Sequence, residues 1–174
     1  SSAVEPSDPG NGTVAMLEQF QRERYPLLSF RTATENRGID QNMADVLAMA
    51  TTTHGWLFGD DDLPEPQAVD VVLRCIAQGY TLVVVNAATY NADLSQMVES
   101  RRVKMSQDQI YEAGDHNRLM VDTASYITYL GGVVVNLDAW RSVDSTPFLR
   151  TDYLHVSVVF RAIVGKRAML CATP

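Results

Sequence analysis

Several features are scarce in this sequence, and each scarcity excludes a class of protein. No apolar run approaches the length of about 18 residues that a membrane-spanning helix requires, and the first residues lack the apolar stretch of a signal peptide. Lysine and arginine number 14 against 21 acidic residues, without a basic stripe, which argues against nucleic acid as a partner. The only cysteines, Cys75 and Cys171, stand in apolar sequence without metal-binding spacing. We therefore expect both to be reduced core residues of a cytoplasmic protein.

The composition is that of a globular chain. Of the 174 residues, 46% are hydrophobic and 20% are charged, which is enough for one domain with a sizeable core.

Helical and strand-like patterns alternate through the first half of the chain. Apolar spacing predicts helices over Thr13–Glu23, Asp40–Ala50 and Pro66–Gln78. It predicts strands over Leu27–Ala33, Gly55–Phe58 and Tyr80–Ala87. The second half predicts a strand at Gly132–Asn136, a helix around Tyr153–Phe160 and a strand or helix at Ala168–Cys171. Such alternation predicts an α/β fold with a mostly parallel sheet flanked by helices. Ligands of such sheets bind at the carboxyl ends of the strands.

An apolar segment runs directly into three carboxylates in "GWLFGDDDLPEP", at Asp60, Asp61 and Asp62. Adjacent carboxylates repel one another, so they favour a compensating cation. Mg²⁺ prefers one or two carboxylates together with the phosphates of its substrate. The alternative is a solvated acidic turn, in which Asp62 and Glu65 face the positive end of the next helix.

The segments "ENRGIDQNMADVLAMA" and "GWLFGDDDLPEPQAVDVVLRCI" together resemble the nucleotide-sugar half of family 2 glycosyltransferases with the GT-A fold. Among these they are most similar to bacterial enzymes like the abequosyltransferases of O-antigen assembly. The resemblance covers Gly12–Ala87 and, more loosely, "GGVVVNLDAW". It implies a single GT-A-like, Rossmann-related domain over residues 1–174. Residues 1–12 would be disordered or form a loop, 13–90 would form the nucleotide-sugar half and 91–174 the acceptor half.

The resemblance also implies the donor-side residues. Asp62, with Asp60, would hold a Mg²⁺ or Mn²⁺ that bridges the diphosphate, while Asp60 and Asp61 would lie near the ribose and sugar. Further contacts to the nucleotide sugar are implied for Asp8, Asn36, Gly38 and Gln41.

On the acceptor side, the segment "FLRTDYLH" matches the place of the base that deprotonates the acceptor hydroxyl. Asp152 is the implied base, and His155, three residues further on the same predicted helix face, is its competitor. Trp140 would stack on an acceptor sugar. Each has a structural alternative: Asp152 as a helix N-cap, His155 as a packed histidine and Trp140 as a core residue.

Relatives normally begin with an apolar strand that this chain lacks, so we expect an N-terminally truncated domain. Its exposed sheet edges favour a homo-oligomer or a partner chain.

The implied function is inverting, metal-dependent transfer of a sugar from a nucleotide-diphosphate donor to a saccharide or lipid-linked acceptor. It would serve bacterial polysaccharide biosynthesis in the cytoplasm, at the inner face of the membrane. A sugar-phosphate nucleotidyltransferase is one alternative, although such enzymes open with a Gly-rich basic loop that is absent here. A catalytically inactive binding domain is the other.

Two further patterns stay open. The run "ESRRVK" (Glu99–Lys104) either binds phosphate or an anionic lipid head group, or forms a solvated face. Asp115 and His116 suggest either a metal pair or a solvated loop.

Overall fold

The computed structural model describes residues 3–4, 12–33 and 35–173. The chain divides into two compact units. Unit 1 comprises Ser1–Thr53 and Ser145–Leu154, and unit 2 comprises His54–Asp144 and His155–Pro174.

Unit 1 contains two helices and a short pair of strands. Strands β1 (Ala3–Val4) and β2 (Ser29–Phe30) pair in parallel, a difference from the loop expected for residues 1–12. Helix α1 spans Thr13–Glu23, as predicted, and helix α2 spans Ile39–Met49. Helix α2 buries Met43 and Leu47 on one face, whereas α1 buries only Leu17 and leaves Met16 and Phe20 exposed.

Unit 2 is built on a five-stranded sheet in the order β3–β8–β4–β9–β7. Its strands are β3 (His54–Trp56), β4 (Leu82–Val85), β7 (Gln109–Tyr111), β8 (Val133–Asn136) and β9 (Ala168–Cys171). A separate hairpin joins β5 (Thr89–Tyr90) to β6 (Met97–Glu99). The helices are α3 (Ala68–Ala77), α4 (His116–Thr123), α5 (Leu137–Arg141) and α6 (Leu154–Ala162), the last of which starts in unit 1.

The sheet is mixed, so the prediction of a mostly parallel sheet was wrong. Only β4 and β9 pair in parallel, whereas β8 runs antiparallel to both β3 and β4, and β7 runs antiparallel to β9. The predicted β3–α3–β4 alternation does give two strands that point the same way. However, β8 lies between them and pairs with both, and alternation along the sequence carries no information about such an insertion.

Both faces of the central strands are buried. On one face, Val83 and Val85 of β4 pack with Val72 and Cys75 of α3. Alternate residues such as Leu82 and Val84 point to the opposite face and are also fully buried. The continuous apolar runs of β4 and β8 therefore follow from burial on both sides.

Helix α3 buries one face, on which Ala68, Val72 and Cys75 point to the core, whereas Val69 and Leu73 are exposed. Apolar side chains cover more than one face of this helix, and the core takes up only one of them.

The two cysteines are buried and free, as predicted, and they lie in contact: the two Sγ atoms are 4.0 Å apart. Burial raises the pKa of both thiols.

Among the described residues, no helix is both long and apolar enough to cross a membrane.

Candidate active site

The acidic turn that follows β3 is anchored through its third carboxylate. The backbone N–H of Gly59 donates to Asp62 Oδ2 at 3.0 Å, and the hydroxyl of Tyr129 donates to Asp62 Oδ1 at 3.0 Å. These two hydrogen bonds fix the turn at the end of the sheet. Burial, followed by the bond to Asp62, raises the pKa of Tyr129 well above its usual range, so this phenol stays a donor at neutral pH.

Gly131 makes this arrangement possible. A Cβ atom at this position would lie 2.3 Å from the Tyr129 hydroxyl and 3.0 Å from Asp62 Oδ2. The carbonyl of Gly131 in turn accepts a hydrogen bond of 2.9 Å from the indole N–H of Trp56. The loop before β8 therefore supports the acidic turn through close backbone approach.

Asp60 and Asp61 have a different environment from Asp62. Both are exposed, and within the described part of the chain their carboxylates make no hydrogen bond or ion pair. Asp62 does not cap α3 either, because the N-cap residue of that helix is Gln67 and no side chain caps it. The acidic turn therefore does not cap α3 through a side-chain hydrogen bond.

The donor set of this turn fits a hard divalent cation. An ionised carboxylate offers about four lone-pair sites, and Asp62 uses two of them. No group of three or more acidic, histidine or cysteine residues is placed to hold a metal among the described residues. Mg²⁺ needs only one or two carboxylates when phosphates and water complete its shell.

Unit 1 contains a cavity of about 520 Å³. It is lined by Glu35, Asn36, Arg37, Gln41, Leu149 and Arg150. Two of the predicted nucleotide-sugar residues, Asn36 and Gln41, thus share one cavity. Asn36 Oδ1 accepts the N–H of Gly38 at 2.9 Å, and Gly38 takes a φ of 85°, which forms the turn that precedes α2.

The opposite wall of this cavity is fixed by Asp40. This carboxylate is only 3% exposed and accepts the backbone N–H groups of Thr151 at 2.8 Å, Asp152 at 3.0 Å and Leu154 at 3.2 Å. Arg150 and Asp152 both have positive φ angles, of 68° and 62°, which non-glycine residues seldom adopt. The sequence indicates Asp40 only as the start of a helix, because its partners lie more than a hundred residues away.

The acceptor-side candidates differ in exposure: Asp152 is exposed, whereas His155 and Trp140 are buried. Asp152 and His155 were predicted to share one helix face. This was wrong, because Asp152 precedes α6. Its side chain is exposed, and it caps no helix in the described part of the chain. His155 is 3% exposed, with Nε2 3.2 Å from the carbonyl oxygen of Thr128, and Trp140 is 6% exposed within α5. The surroundings of His155 and Trp140 are therefore those of packed core residues.

Asp8 lies outside the described residues. Asp115 accepts hydrogen bonds from the N–H of Glu112 and from Arg118, and together these make it part of the turn that begins α4. In the basic run, Arg102 and Lys104 both pair with Glu99.

Residues 7–132 match the model of the family named Glycosyl transferase family 2. No curated protein matches the chain significantly. The family match covers the acidic turn, α2 and α3, and ends before Trp140, Asp152 and His155.

An α/β protein with an acidic turn after a half-buried edge strand is consistent with the nucleotide-sugar-dependent class. The chain belongs to glycosyl transferase family 2. Membership implies the GT-A fold, glycosyl transfer in general, and the binding of a nucleotide-sugar donor and an acceptor.

Proposed function

We propose that this protein transfers a sugar, with inversion, from a nucleoside-diphosphate donor to a saccharide or lipid-linked acceptor. The proposal includes a Mg²⁺ or Mn²⁺ ion at the acidic turn, held by Asp62 with Asp60, and Asp61 near the ribose and sugar. An enzyme similar to the abequosyltransferases, in bacterial polysaccharide assembly, is its more specific form.

One observation carries the proposal: the acidic turn holds one carboxylate rigidly and leaves two exposed. The third is fixed by Tyr129 and Gly59, and the other two form no bond in the described residues. Repulsion among three carboxylates favours a cation. When bound, a divalent metal offsets the negative charge that grows on a departing diphosphate.

Asp152 is the proposed base. Its carboxylate is exposed, and Asp40 accepts its backbone N–H. The position from which the side chain extends is therefore fixed. A carboxylate in this state accepts a proton from a hydroxyl that approaches within hydrogen-bond distance. His155 is the weaker candidate because it is buried.

A location at an anionic membrane surface is a further part of the proposal. The β5–β6 hairpin exposes Tyr90, Leu94, Met97 and Val98. It leads directly into Arg101, Arg102 and Lys104, of which Arg102 and Lys104 pair with Glu99 while Arg101 donates to the carbonyl of Met105. Apolar side chains beside cations are typical of surfaces that bind anionic lipid.

Nucleotide binding tests the central claim. Titration calorimetry with UDP, GDP, CDP and TDP, each with and without Mn²⁺, should give metal-dependent binding of one nucleotide. Asp62→Asn keeps the shape of the side chain and removes its charge, so we expect affinity to fall by at least about tenfold.

Asp138→Asn is the matched control, because this residue of α5 is 94% exposed and lies outside the acidic turn. Its nucleotide affinity should equal that of the wild type. If none of the four nucleotides binds in the presence of Mn²⁺, the proposal is wrong.

A further inference from the structure

The cavity of unit 1 presents two guanidinium groups in different states. Arg37 is paired with Asp45, and Gln41 donates to the same carboxylate at 3.0 Å, so this side of the cavity is already neutralised. Arg150 is exposed, and its guanidinium makes no hydrogen bond or ion pair within the described residues. The cavity therefore carries one cation with all its donors available, beside the carboxylate of Glu35.

Arg150 is held in place by the segment around it. The hydroxyl of Thr151 donates to the carbonyl of Phe148 at 2.7 Å, and the N–H of Tyr153 donates to Thr151 Oγ1 at 3.2 Å. With the three N–H groups that Asp40 accepts, these bonds maintain a positive φ at Arg150. Such a conformation persists only where its surroundings enforce it.

The remaining lining is suited to sugar hydroxyls. Asn36 and Gln41 offer side-chain amides, Glu35 a carboxylate, and Leu149 an apolar surface. A volume of about 520 Å³ lies within the usual range of small-ligand pockets, which is about 300–1,000 Å³. The cavity thus combines hydrogen-bond donors and acceptors with one guanidinium, that of Arg150, which has no partner among the described residues.

We propose that this cavity binds a saccharide that carries an oxyanion, a phosphate or a carboxylate, and that Arg150 is the residue that binds the anion. A guanidinium presents parallel N–H donors that match two oxygens of either group. The inference rests on the proposed function in taking the ligand to be a sugar. It adds that the sugar bound here is acidic and that the charge is recognised through one residue.

Three probes separate the contributions: glucose 1-phosphate, glucuronate and neutral glucose, followed through the arginine Nε–Hε signals in NMR titrations. Both acidic sugars, or the one whose anion the cavity prefers, should bind at least about tenfold more tightly than glucose. The signal of Arg150, assigned by its loss in Arg150→Asn, should shift on binding. Salt at about 1 M, where the Debye length is about 3 Å, should weaken acidic-sugar binding and leave glucose unaffected.

Arg150→Asn is the informative variant, because asparagine tolerates positive φ better than most residues, so the segment should keep its conformation. It should reduce the affinity for the acidic sugar to that for glucose. Arg24→Asn is the matched control, an exposed arginine of unit 1 that does not line the cavity.

Equal binding of glucose and both acidic sugars, or unchanged binding in Arg150→Asn, would overturn the inference. The probes contain no nucleoside and no metal is added, so this result is independent of whether nucleotides bind at the acidic turn.

Discussion

Asp40 is a charged side chain that the fold buries almost completely. Its two oxygens receive three backbone N–H groups, which replace the water that a carboxylate would otherwise bind. The bonds reach 111, 112 and 114 residues along the chain. One residue thus fixes the backbone of both the proposed base and the proposed anion-binding arginine.

We predict that Asp40→Asn lowers the free energy of unfolding by about 1–3 kcal/mol, because the amide would present a donor to backbone donors. Urea denaturation followed by circular dichroism measures this change. Asp138→Asn should stay within about 0.5 kcal/mol of the wild type. Equal stability of the two variants would show that the three bonds contribute little.

Whether a site residue could be predicted depended on how far along the chain its partners lie. The aspartate triplet is visible as a motif because its members are adjacent. Tyr129, which donates to Asp62, is 67 residues away, and no local pattern marks it. Arg150 likewise has no signal as a cavity residue, because Gln41 and Asn36 lie far from it in sequence.

The hairpin of β5 and β6 is the element that the sequence described least well. Its loop is closed by hydrogen bonds from the N–H of Leu94 to Asn91 and from the N–H of Gln96 to the Asn91 side chain, both at 3.0 Å. Leu94 sits at a φ of 59° and is exposed. A rigid turn thus presents an apolar side chain to solvent.

We expect anionic lipid vesicles to co-sediment this protein more strongly than zwitterionic ones. Val98→Asn should weaken that binding severalfold, since it removes exposed apolar surface from the hairpin. Val121→Asn makes the same change at an exposed position of α4 and should have no effect. The same loss in both variants, or no vesicle binding by the wild type, would refute the membrane proposal.

Among the elements, types followed from local patterns, lengths did so only in part and pairing did not: the strand predicted over Leu27–Ala33 is only Ser29–Phe30. Helix α1 has the predicted bounds, and β4 and β8 lie within the predicted apolar runs. Neither β7 nor the antiparallel direction of β8 was predicted. Strand pairing depends on contacts that are remote in sequence, which periodicity does not encode.

Alkaline pH should destabilise the whole molecule. Burial raises the pKa of Tyr111, Tyr126 and Tyr129 above the ordinary value of about 10. The unfolded chain therefore releases these protons first. The stability they contribute is fully present below about pH 10 and is lost as the pH rises through the folded-state values.

Urea denaturation at a series of alkaline pH values tests this expectation. The free energy of unfolding should fall as pH rises, and Tyr129→Phe should fall less steeply because it removes one of the titrating groups. Cys75 and Cys171 act in the same direction, since burial raises the pKa of both thiols. A flat profile in the wild type would contradict the prediction.

The division of the chain has a consequence for synthesis on the ribosome. Unit 1 takes its second segment, Ser145–Leu154, from beyond most of unit 2, His54–Asp144. Helix α2 therefore leaves the ribosome before the N–H partners of Asp40 have been made, and that carboxylate keeps its water until residue 154 emerges. Unit 1 is consequently completed only after most of unit 2 has been translated, so the burial of Asp40 is a late step.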